Sequence, residues 1–200
     1  MRWSLLGPLA LILAAPAAAS AAERWPLWPS EVQRVAEPLR ARQARNPLVV
    51  PEVHKLQALR ALERYPTALV TQILLEALAD PVASVRRDAF QACLERVLLD
   101  CIPAATREWR DRADLGASIA AMRVLALDPG TVVQMVLLEA LRDPEESIRA
   151  EAAYTLARVP WPDDVLPRMR TALIARLTDQ APLVRRAATR SLRLIGPPPA

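Results

Sequence analysis

Three stretches of this chain are near copies of one another: LLEALADPVASVRRDAFQACLERV, LLEALRDPEESIRAEAAYTLARV and LIARLTDQAPLVRRAATRSLRLIG. In each, an Asp closes an apolar-periodic segment; Val or Ile follows five residues later, then Arg, then Ala three further on. The anchors are Asp80, Asp143 and Asp179. They are followed by Val85-Arg86, Ile148-Arg149 and Val184-Arg185, and then by Ala89, Ala152 and Ala188. The interval from Asp80 to Asp143 spans two repeats, and a degenerate copy anchored on Arg112 fills it, with Ala121 and Leu125 where the next copy has Ala152 and Leu156. A further copy, anchored on Val49, places Ala58 and Leu62 at the same points. Successive anchors are then 31, 32, 31 and 36 residues apart. Such a period belongs to a stack of small units, each touching only its neighbours.

Each copy reads as two helices. The spacing predicts first helices over about 31–45, 66–79, 103–111, 130–142 and 163–178, and second helices over about 51–64, 82–97, 115–127, 145–158 and 181–194. Ala and Leu dominate and Gly is scarce, at 4 residues, which favours helix. The 19 prolines fall between the periodic segments and punctuate them. Positions five, nine, thirteen and sixteen after each anchor form one stripe, as in Ile148, Ala152, Leu156 and Val159. One pair of helices cannot bury that stripe, whereas stacked pairs can.

The pattern resembles the HEAT-repeat family, in its short bacterial form, over about residues 31–195. The resemblance implies an all-α fold, a right-handed α-solenoid of about five HEAT-like helix pairs. It also implies a ladder of hydrogen bonds between adjacent repeats, formed here by Asp80 with Arg86, Asp143 with Arg149, and Asp179 with Arg185. Lys55 and Ser118 stand at the Arg place in the two weaker copies, so an interrupted ladder is expected there. The tetratricopeptide alternative lacks its W-x₂-L-G-x₂-Y pattern.

Ahead of the repeats, Arg2, an apolar run from Leu5 to Ala15 and the small residues Ala17 to Ala22 read as a cleavable secretory signal peptide, residues 1–22. Pro8 and Pro16 make the run a poor membrane span, and no Cys near the exit offers a lipid acceptor. A periplasmic or secreted protein is expected, with no stable membrane insertion after cleavage. Residues 23–30 read as a Trp/Pro-rich cap, with Trp25 and Trp28 over the open end of the stack, and residues 196–200 as a Pro-rich tail.

Few residues could carry chemistry. Cys93 and Cys101 occupy core places where other copies have Leu and Val, so they are a candidate disulfide in an exported chain; two buried free thiols are the other reading. His54 is the sole histidine and falls on the apolar stripe, where a structural role is expected. Neither a metal-ligand cluster, a Gly-rich phosphate loop nor a nucleophile elbow is evident, and no cofactor is expected. The sequence therefore points to a protein that is not an enzyme.

The place to look for function is the outer face of the second helices, at positions seven, eleven and fifteen. Reading along the copies gives Arg60 and Arg64; Arg87, with Gln91 and Glu95; Arg123; Tyr154 and Arg158; and Arg186 and Arg190. Seven arginines face one acid, in a chain whose net charge after loss of the leader is +3. In HEAT-like solenoids this side is concave and holds partners. A basic groove of this kind suits an acidic protein segment, since Arg forks pair with carboxylates, although Asp88 and Glu151 flank the row. Export argues against nucleic acid. Trp161, in the element PWP, is read as the tip of a protruding loop and a further interface anchor. The expected function is an exported, non-enzymatic scaffold, adaptor or assembly factor. A structural subunit of an envelope complex is the alternative, and a bilin-lyase-like protein a more distant one.

Overall fold

The computed structural model describes residues 29–40 and 50–196. The leader, Trp25, Trp28 and the last four residues of the Pro-rich tail lie outside them. Ten α-helices follow one another, with no strand among the described residues. The first helices of the five pairs are α1 (Ser30–Arg40), α3 (Thr67–Ala77), α5 (Ile102–Asp111), α7 (Thr131–Ala140) and α9 (Leu166–Ile174). The second helices are α2 (Glu52–Leu62), α4 (Ala83–Glu95), α6 (Leu115–Leu125), α8 (Glu146–Leu156) and α10 (Pro182–Ile195). A 3-10 turn, Leu99–Cys101, leads into α5.

The Asp at each anchor closes its turn locally. Its Oδ1 accepts from the backbone N–H two residues on: Asp80 from Val82 at 2.9 Å, Asp143 from Glu145 at 2.8 Å and Asp179 from Ala181 at 3.0 Å. This side-chain turn ends one helix and aims the next without a glycine. The degenerate copy has no such carboxylate. There Arg112 adopts the left-handed conformation, φ 46°, as the C-cap of α5, and its N–H bonds Glu108 O at 3.0 Å. Asp114 then caps α6 by accepting from Ala117 N at 2.8 Å.

The core is the expected stripe. Val85, Ala89 and Cys93 on α4, and Ile148, Ala152 and Leu156 on α8, are all buried. His54 departs from the pattern: it is exposed, and Lys55 beside it is buried instead. α2 packs on α1 and α4, with no earlier second helix among the described residues to cover that position. Lys55 turns toward the next repeat, where Nζ donates to Asp80 Oδ2 at 2.7 Å.

Second helices of adjacent copies pack along one another throughout, whereas among adjacent first helices only α1 and α3 meet closely. No described helix is long and apolar enough to cross a membrane.

Candidate partner-binding surface

The surface rests on a ladder of ion pairs that runs without a break, contrary to the interruption expected at Lys55 and Ser118. Each rung joins a cation of one copy to a carboxylate of the next. Lys55 bonds Asp80; Arg86 bonds Glu108 through Nε and Nη2 at 2.8 and 3.1 Å; Arg112 bonds Asp143; Arg149 bonds Asp179 at 3.0 and 2.9 Å. The partners also differ from those expected. Arg86, Arg149 and Arg185 do reach the Asp of their own copy, but at its carbonyl oxygen, through Nη1 at 3.0, 2.8 and 2.7 Å. The Asp side chain is left for the preceding copy. Hydrogen bonding to Glu108 and to Asp179 raises Arg86 and Arg149 above the ordinary arginine pKa. Asp179 is correspondingly held below the ordinary carboxylate value, chiefly by Arg149.

On this frame the basic ridge is less uniform than its sequence. Arg64 Nη2 bonds Glu31 at 3.3 Å, and Tyr65 Oη donates to the same carboxylate at 2.7 Å. Arg87 meets Asp88 at 3.3 Å. Arg123 is paired with Glu151 through Nε at 2.9 Å and Nη2 at 3.1 Å, which raises its pKa. Arg60 lines a groove of about 180 Å³ between α2 and α4 together with Glu63, Asp88 and Glu95. Three carboxylates there face one arginine, so this groove is acidic. Ala150, at position seven after Asp143 and so on the same face as Tyr154, is buried, because close helix packing covers a lone methyl at that place.

The C-terminal half is different. Arg158, Arg186 and Arg190 are exposed and make no ion pair with a described residue. Arg190 lies over the half-buried Tyr154 ring, 6.0 Å from its centroid, and so ties α10 to α8. The basic surface is concentrated on α10 and the turn after α8, with Tyr154 of α8 beside it.

Trp161 does not project. It is 8% exposed, and Nε1 donates to Leu156 O at 2.7 Å. The indole is drawn inward because the last turn of α8 offers it both an apolar seat and an unpaired carbonyl. Only the flanking Pro160, Pro162, Asp163 and Asp164 are exposed. Cys93 and Cys101 are brought together as a disulfide, fully buried, with Cα atoms 6.5 Å apart.

Two contacts had no signal in the repeat pattern. Arg96 clamps the end of α2, donating to Leu62 O at 2.9 Å and Tyr65 O at 3.1 Å. On the first-helix side, a groove of about 600 Å³ lined by Met135, Arg142 and Arg168 has the Arg112–Asp143 rung in its wall. No trio of His, Cys, Asp or Glu among the described residues could hold a metal ion.

Residues 110–200 match the family model described as HEAT repeats. That stretch begins just before the Arg112 anchor and takes in every later copy. Among solved structures, an engineered protein from the Northeast Structural Genomics Consortium is similar in fold. Its TM-score is 0.55 at 18% identity, covering 81% of this chain and 79% of that one. No curated protein matches the chain.

Proposed function

We propose that this chain, a HEAT-repeat α-solenoid, is an exported, non-enzymatic adaptor or assembly factor that holds an acidic segment of a partner protein against α8 and α10. The observation that carries this reading is the contrast along one face. Upstream arginines are neutralised by Glu31, Asp88 and Glu151, whereas Arg158, Arg186 and Arg190 have no carboxylate partner among the described residues. Unpaired arginines on a rigid scaffold are donors already in place for carboxylates, and Tyr154 adds an aromatic floor beside them. Repeat scaffolds lend themselves to such use, since the stack fixes the spacing of side chains over a long surface. Export rests on the leader at residues 1–22 and places the partner in the periplasm or outside the cell.

The test is crosslinking in the cell with a tagged protein, followed by mass spectrometry. The variant Arg158→Glu, Arg186→Glu, Arg190→Glu is compared with Arg60→Glu. A partner captured by the parent and by the Arg60 variant, and lost in the triple variant, is the expected result. Equal capture by all three would rule out this surface.

A further inference from the structure

We infer that the α10 edge of the stack is a second docking face, shaped for a helical hairpin that carries a carboxylate at its turn. Three arginines occupy the same rung position. Arg86 and Arg149 each use Nη1 to grip two carbonyls of their own copy, Asp80 and Pro81 or Asp143 and Pro144, at 2.8–3.2 Å. This grip leaves Nε and Nη2 aimed at a carboxylate of the next repeat, which both of them find. Arg185 is held in the same way, through Asp179 O at 2.7 Å and Gln180 O at 2.8 Å. Its Nε and Nη2 meet no partner among the described residues. A two-pronged carboxylate receptor is therefore already oriented at the end of the ladder, with its ordering cost met by the local carbonyls.

The surroundings show the same unfinished interface. Leu78 and Leu141, two residues before their anchors, are buried, whereas the corresponding Leu177 is 38% exposed. Phe90, Met122 and Ala153, ten residues after their anchors, are buried, whereas Thr189 is exposed. Thr189 lies one turn after Arg185 on α10 and lines a groove of about 480 Å³ with Ile174, Leu177, Leu192 and Arg193. The apolar strip and the cationic fork together are what each internal repeat presents to its successor. The occupant is then of the same kind: an amphipathic helix pair with Asp or Glu at its turn. A second copy entering by its N-terminal edge fits less well, because its first anchor is Val49 and brings no carboxylate. This face is separate from the Arg158–Arg190 surface, and either can fail without the other.

The probe is a hairpin supplied in cis. A second copy of residues 161–196 is inserted directly after Gly196 in the full chain, which repeats the 36-residue spacing from Asp143 to Asp179 and brings a turn Asp to Arg185. Tethering raises the effective concentration enough for weak docking to register. Thermal unfolding is compared for the parent and extended chains, each with and without Arg185→Gln. The expected result is a rise in Tm of about 5 °C or more on extension, most of it lost with Arg185→Gln, while the same substitution moves the parent far less. A rise that survives Arg185→Gln, or no rise at all, would overturn the inference.

Discussion

Arg86 and Glu108 form a bidentate pair across the junction of the second and third repeats, although Glu108 lies four residues before the anchor position. The anchor there is Arg112, and Arg112 in turn reaches forward to Asp143. One reversal of charge is thus answered one helical turn away. Glu108 supplies the missing carboxylate, and Arg112 supplies the cation that Ser118 cannot. Both members of the Arg86–Glu108 pair are largely buried, at 12% and 9% side-chain exposure. Removing one partner of such a pair leaves the other desolvated and uncompensated. Glu108→Gln should therefore cost about 3 kcal/mol, read as a lower urea midpoint at unchanged slope. A loss within experimental error would show that the rung is dispensable.

Ser118 is the residue left over from that exchange. It is buried, and its Oγ has no hydrogen-bond partner among the described residues. A hydroxyl in this state has lost water and gained nothing. Ser118→Ala should stabilise the fold by about 1 kcal/mol, seen as a higher Tm. Destabilisation of similar size would mean that the hydroxyl is satisfied after all.

The rung between Arg149 and Asp179 gives the fold an acid limb. Arg149 lowers the folded-state pKa of Asp179 below the ordinary 3.8. The resulting stabilisation is fully present above the unfolded-state pKa and is lost as pH falls through the depressed folded-state value. Asp179→Asn should then lower stability at neutral pH and flatten the pH dependence below about pH 4. Urea unfolding across that range measures both. A parallel acid limb in the variant would assign the effect to other carboxylates.

The fold was legible because the repeat states it several times over. An Asp, a β-branched residue, an Arg and an Ala at fixed intervals place a turn, a core contact, a rung and a close-packed position. Even the degenerate Arg112 copy keeps Ala121 and Leu125. What the pattern hid was pairing between elements. Glu31 and Glu108 lie on first helices, outside any alignment of second-helix positions, and they neutralise Arg64 and Arg86. Glu151 is on a second helix but answers Arg123 of the preceding copy. A count of charges along one face therefore overstated the ridge at its N-terminal half. Arg158, Arg186 and Arg190 pair with none of those acids. His54 and Lys55 show the same limit, since the exposure of a stripe position depends on whether a neighbouring repeat covers it.

Trp161 gives a last test, because a loop rich in proline reads as a protrusion and the side chain within it turned inward. Its indole N–H closes on Leu156 O at 2.7 Å, so the ring fastens the end of α8 to the segment entering α9. Trp161→Ala removes both the ring and the bond and should cost about 3–5 kcal/mol. Trp161→Phe keeps an apolar ring but strands the carbonyl, at a cost of about 1–2 kcal/mol. Neither substitution touches Arg158, Arg186 or Arg190, so partner capture by the folded Phe variant should match that of the parent. An interface anchor would behave in the opposite way. Stability would be unchanged on Trp161→Phe and capture would fall, and that pair of results would return Trp161 to the binding surface.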